Sequence, residues 1–157
     1  MKMHIGIAEQ DLSQVSSFLN QVLADETILF TKTRKAHWNV SGPNFMELHK
    51  FFQSQYEALD ATIDEVAERI RSLGQLAPGS LNEFLHYSTL KETKTTAATA
   101  QELIHALLED HESLIRELRV GIVAVNDTYH DVGTGDFLTG ILEQHEKMAW
   151  MLRAYLQ

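Results

Sequence analysis

Residues 44–74 read NFMELHKFFQSQYEALDATIDEVAERIRSLG. Phe45, Leu48, Phe52, Tyr56, Leu59, Ile63, Val66, Ile70 and Leu73 recur at steps of three and four, the spacing that places side chains on one face of an α-helix. Gly74 ends the pattern as a C-terminal cap residue. This long amphipathic rod sets the fold class, because its apolar stripe requires other helices to cover it.

Working outward, Leu12, Val15, Leu19, Val22, Leu29 and Phe30 repeat the same spacing upstream. They predict a first helix from a cap at Asp11 to about Trp38, stopped before Ser41-Gly42-Pro43. Downstream, Gln75 to about Lys94 is a crossover of roughly 20 residues holding a short helix, Leu81 to Tyr87. A third long helix is predicted from about Thr95 to Asn126, carrying Ile104, Leu107, Leu108, Leu114, Leu118, Ile122 and Val125. After a Gly-rich loop, Asp131-Val-Gly-Thr-Gly, Asp136 is placed to cap a fourth helix bearing Phe137, Leu138, Ile141, Leu142, Met148, Ala149, Leu152 and Tyr155. The reading is all-α: one domain over 1–157, a ferritin-like four-helix bundle with a short helix in its long central crossover.

Composition narrows the chemistry. The chain has no cysteine, which removes disulfides, thiolate metal sites and thiol catalysis. A formal charge of −9 disfavours a broad phosphate-binding surface and favours attracting cations. No apolar run reaches the roughly 18 residues of a membrane span, and Met1 to Gln10 lacks signal-peptide character. A cytoplasmic location is the expectation.

Two histidines, His37 and His49, flank the Gly-Pro break, and Asp64 and Glu68 lie four apart on one face of the second helix. Two imidazoles and two carboxylates would suit Fe(II), Mn(II) or Zn(II), with iron the natural choice for an open mixed site. Fifteen residues separate His49 from Asp64. That is about 22 Å along the helix, far beyond metal bonds of about 2 Å. Only a second copy packed antiparallel about a twofold axis brings all four groups together, giving two equivalent sites per dimer. Spacing alone also admits ordinary polar histidines at a helix break and a solvated acidic face. A di-iron site inside one bundle is incomplete: Glu102-x-x-His105 fits once, Leu142 stands three before His145, and Glu83-x-x-His86 falls on the crossover helix. His111 and His145 lie on apolar stripes and read as core or interface histidines; His4, His86, His105 and His130 receive no role.

TRKAHWNVSGPNF at 33–45, Leu48-His49, QYEALDATIDEVAERIRSLG at 55–74 and EQHEKMAWMLRAYL at 143–156 closely resemble the Dps family, the mini-ferritins or DNA-binding proteins from starved cells. The resemblance runs from about Ile5 to Leu156. It implies a hollow twelve-subunit shell with ferroxidase sites at twofold interfaces. Residue by residue, it implies that His37, His49, Asp64 and Glu68 hold iron. Many members carry a carboxylate one turn after the second histidine, where this chain has Gln53, so a second iron is expected to bind weakly or through water. Trp38 matches the site tryptophan implied to intercept radicals; an interface-packing aromatic fits it as well. The resemblance further implies Fe(II) oxidation by hydrogen peroxide in preference to dioxygen, Fe(III) mineral stored inside, and pores near Asp127, Asp131 and Asp136. DNA condensation is the alternative function. It is expected to be weak, because the N-terminus offers only Lys2 and the remaining basic cluster, Lys32, Arg34 and Lys35, suits a solvated helix face. A metal-free scaffold is the third reading.

Overall fold

A computed structural model describes residues 3–157; Lys2 lies outside the described residues. Its helices are α1 (Glu9–Asn39), α2 (Phe45–Ser72), α3 (Leu81–Tyr87), α4 (Ala100–Val123) and α5 (Val132–Ala154), and α4 runs into a π-helical turn, Ala124–Thr128. Among the described residues there is no strand. Helix α1 packs along α2 and α4 along α5, so two hairpins face each other across one core, and the crossover lays α3 on α1. The four long helices form the expected bundle with a short helix in its crossover.

The stripes predicted from sequence are the core. Val15, Leu19, Leu29, Phe52, Leu59, Val66, Ile70, Leu118, Leu138 and Leu152 are all fully buried. Each contributes about 1.5–3 kcal/mol by leaving water. Phe45 departs from its stripe: it is exposed and lies against the His49 ring, with centroids 5.1 Å apart.

Several helix boundaries differ from the sequence reading, each for a local reason. Ala8 precedes α1 with no side-chain cap, and Asp11 sits inside the first turn, where its charge complements the helix dipole. Helix α4 starts at Ala100 rather than Thr95, because Thr99 and Glu102 form a reciprocal capping box. A second such box, Ser80 with Glu83, starts α3. Asp136 caps nothing. Asp131 does, accepting from the Thr134 amide at 3.0 Å, so the Gly-rich segment becomes the first turn of α5. Gly74 adopts φ 83° and Gly42 φ 111°, left-handed conformations that end α2 and turn the chain between α1 and α2.

One buried carboxylate fixes the crossover. Asp25 on α1 is wholly inaccessible. Its Oδ1 accepts from Ser88 Oγ at 2.6 Å, Thr89 N at 2.7 Å and Leu90 N at 3.0 Å, and its Oδ2 accepts from Thr89 Oγ1 at 2.9 Å. These bonds satisfy crossover amides that no helix serves.

Candidate metal centre

The turn at Ser41–Asn44 folds the end of α1 against the start of α2, and the two histidines lock it. His37 Nδ1 lies 2.7 Å from the His49 carbonyl oxygen, and His49 Nδ1 lies 2.9 Å from the His37 carbonyl oxygen. A carbonyl only accepts, so both Nδ1 atoms must donate. This fixes the Nδ1–H tautomer in each neutral ring and leaves both Nε2 lone pairs free. The rings stack with centroids 3.7 Å apart and planes 20° from parallel. Neither Nε2 has a protein partner among the hydrogen bonds of the described residues. Tyr56 closes one side, its ring edge-on to His37 at 5.2 Å. His37 is buried and His49 half-buried.

Asp64 and Glu68 point elsewhere. Both are exposed on α2, and neither enters a hydrogen bond or ion pair among the described residues. One chain does not bring them to the imidazoles, and among the described residues no three histidine or acidic side chains converge as a metal cage. The chain thus carries two separated groups: two stacked imidazoles at one end of α2 and two exposed carboxylates about 22 Å along it. Neutral imidazole nitrogen and ionised carboxylate suit a divalent first-row metal.

Gln53 is half-buried, and its amide nitrogen donates to Glu57 Oε1 at 2.7 Å. Trp38 is 64% exposed, with the Arg34 guanidinium 5.3 Å from its ring and 5.8 Å from that of Tyr56. Asp127 and Asp136 are exposed. Asp131 is buried and engaged with Thr134 and, at 3.3 Å, with Arg69, so it holds α5 on α2 rather than facing solvent. The basic cluster is also taken up. Lys32 is buried against Asp110 Oδ2 at 2.5 Å and the Lys91 carbonyl at 3.1 Å, and Lys35 bonds Thr93 at 2.8 Å.

Sequence reading overlooked Tyr56 as a wall of the histidine pair and Glu26 as a buried acid. A charged residue between Leu23-Ala24 and Ile28-Leu29 was a usable sign for Glu26. The contact of Tyr56 with His37 had no sign, because it depends on how two helices meet.

A bundle of two helix hairpins joined by a long crossover defines a class, the ferritin-like proteins, and the ferritin-like domain family matches residues 17–157. The chain is 43% identical over 156 residues to an uncharacterized low temperature-induced protein of Nostoc sp., covering 99% of this chain and 87% of the relative. It is 38% identical over 143 residues to DNA protection during starvation protein 2 of Bacillus anthracis, covering 91% and 97%. Among solved structures, a Dps protein from Bacillus brevis superposes with a TM-score of 0.90 at 33% identity, over 96% of this chain and 100% of that one. The Dps protein of Vibrio cholerae, titled a member of a broad superfamily of ferritin-like diiron-carboxylate proteins, gives 0.92 at 28% identity, over 100% and 98%. The chain belongs to the Dps family of ferritin-like proteins.

Proposed function

We propose that this protein is an iron-oxidising and iron-storing mini-ferritin, active as a homo-oligomeric shell of twelve copies in the cytoplasm. Fe(II) binds between two copies: His37 and His49 of one present their Nε2 atoms, and Asp64 and Glu68 of a twofold-related copy supply carboxylate oxygens. Two Fe(II) then reduce one hydrogen peroxide, with two protons, to two waters. Both electrons leave within one site, so no hydroxyl radical is released. The Fe(III) hydrolyses and collects inside the shell, and Asp127 and Asp136, both exposed, draw cations toward it in this reading. Gln53 contributes a neutral amide, so one iron per site binds more firmly than the other. The exposed Trp38 lies beside His37 in sequence, where an oxidising equivalent that escapes would meet it first. No helix among the described residues is long and apolar enough to cross a membrane.

The carrying observation is the reciprocal histidine–carbonyl pair, which leaves the Nε2 atoms of two stacked rings without a protein partner. DNA protection appears in the name of the Bacillus anthracis relative. Here Lys32 and Lys35 are bonded within the fold, so a gel shift is expected to be weak and lost on raising salt.

The test is complementation. His37→Ala/His49→Ala and Asp64→Ala/Glu68→Ala are each expected to lose the rapid absorbance rise on mixing Fe(II) with peroxide anaerobically. Co-assembled in equal amounts, half the dimers are mixed and each mixed dimer has one intact site, so roughly a quarter of wild-type activity returns. No recovery from correctly assembled mixed shells rejects the shared site.

A further inference from the structure

The middle of the bundle holds a polar chain with no part in the metal centre. Glu26 on α1, His145 on α5 and His111 on α4 are fully inaccessible. Glu26 Oε1 lies 2.7 Å from His145 Nε2, and His145 Nδ1 lies 2.9 Å from His111 Nδ1. Each end of the chain is unpartnered: Glu26 Oε2 and His111 Nε2 are buried with no hydrogen bond. Buried polar atoms without partners cost about 1–3 kcal/mol each, so their presence calls for an explanation. One ion held by all three side chains is not that explanation. His145 turns opposite ring nitrogens to its two neighbours, so no single point receives the three ligands.

Proton accounting gives a better one. Two contacts need two bridging protons, one between the Nδ1 atoms and one between His145 Nε2 and Glu26. The least costly buried charge state is neutral overall: Glu26 ionised, His145 carrying both ring protons, and His111 carrying one, on Nε2. His111 Nδ1 is then the acceptor. A further proton that settles on His111 has only that nitrogen to occupy, because Nε2 already carries one. Both Nδ1 atoms would become donors, and two imidazolium rings would face each other at hydrogen-bond distance. The central bond cannot survive it.

We propose that Glu26, His145 and His111 form an acid-sensitive latch that ties α1, α5 and α4 together and opens when His111 takes up a second ring proton. The neighbourhood supports this assignment. On α1, Asp25 is occupied by the crossover, and Lys32 pairs with Asp110 of α4. Helix α2 buries only uncharged polar groups, Gln55 and Thr62, and α5 buries no charged group besides His145. Among the described residues, no buried carboxylate besides Glu26 is left to stabilise a second imidazolium. Burial, and next the charge of His145, hold the His111 ring well below the usual histidine range.

The sign follows from linkage. An unfolded or opened His111 protonates at about pH 6.5 and the native one does not, so stability is complete above that pH. Below it, the opening constant rises about tenfold per pH unit. The measurement is hydrogen exchange of the α4 and α5 core amides in the assembled protein from pH 8 to 4.5, corrected for intrinsic rates, beside His111→Gln. The glutamine carbonyl still accepts from His145 but does not titrate. Wild type should show the extra tenfold per unit below about pH 6.5, and the variant should lack it. Parallel curves overturn the latch. Should the variant fail to assemble, carbon-13-labelled histidine in the native wild type decides: a His111 ring that protonates at its ordinary pH while the core amides stay protected refutes the proposal, and one that protonates only as they open upholds it.

Discussion

At the scale of single residues, the fold is held by a few polar groups whose alternatives are all worse. The two site histidines are fixed by bonds to each other's backbone, not by neighbouring side chains. Their ring orientation therefore depends on the turn between α1 and α2. Asp25 is the other decisive residue. Asp25→Ala would strip the partner from the Thr89 amide and the Thr89 hydroxyl and leave the Leu90 amide only Ser88 Oγ. We expect a loss of about 1–3 kcal/mol, at the upper end because more than one donor is stranded. Urea denaturation checks it, and an unchanged midpoint would mean that water replaces the carboxylate. The histidines and acids of the candidate site were legible as residue types at informative spacing. The roles of Asp25 and Glu26 were not, since a charge within an apolar run does not disclose its partners.

At the scale of elements, helix interiors were readable and helix starts less so. Periodic apolar positions fix where a rod lies, because burying a stripe dominates its energy. Starts depend on which of several nearby Ser, Thr and Asp side chains turns back on the backbone. The apolar spacing starts α4 at about Thr95, and the helix instead begins after Thr99, because of Thr95, Thr96 and Thr99 only Thr99 has a glutamate three residues on, in Glu102. Asp131 likewise displaced Asp136 because Thr134 and Arg69 both reach it. Thr99→Ala should cost about 1 kcal/mol by thermal melting near neutral pH. The Thr99 amide, then its hydroxyl, hold the Glu102 carboxyl below its ordinary range. That contribution is present above the unfolded value and lost as pH falls through the lowered native one. The gap between variant and wild type should therefore narrow in acid; a constant gap would show that Glu102 takes no part.

At the scale of the whole molecule, the chain leaves several large apolar side chains open to solvent. Helix α3 buries none of its residues, and Leu76, Leu81 and Leu85 are 81%, 78% and 52% exposed. Trp38 and Met46 lie open near the histidine pair, and Trp150 on α5. Apolar surface of this kind marks interaction sites, and the proposed shell would cover it with other copies. Leu81→Glu combined with Leu85→Glu is expected to shift the assembly to smaller species by light scattering, with the helical circular dichroism signal retained. A shell of unchanged mass would place the subunit contacts on other surfaces.

The amino-acid order alone determined four amphipathic rods, their long crossover and the separation of the histidines from the carboxylates. All three follow from residue spacing and helix rise, which are local quantities. Only the tertiary structure decided that His37 and His49 stack with their Nε2 atoms free, that Asp131 is a buried cap, and that Glu26, His145 and His111 join three helices. Those outcomes depend on angles and depths at which distant helices meet, and packing settles them through contacts between residues far apart in the chain.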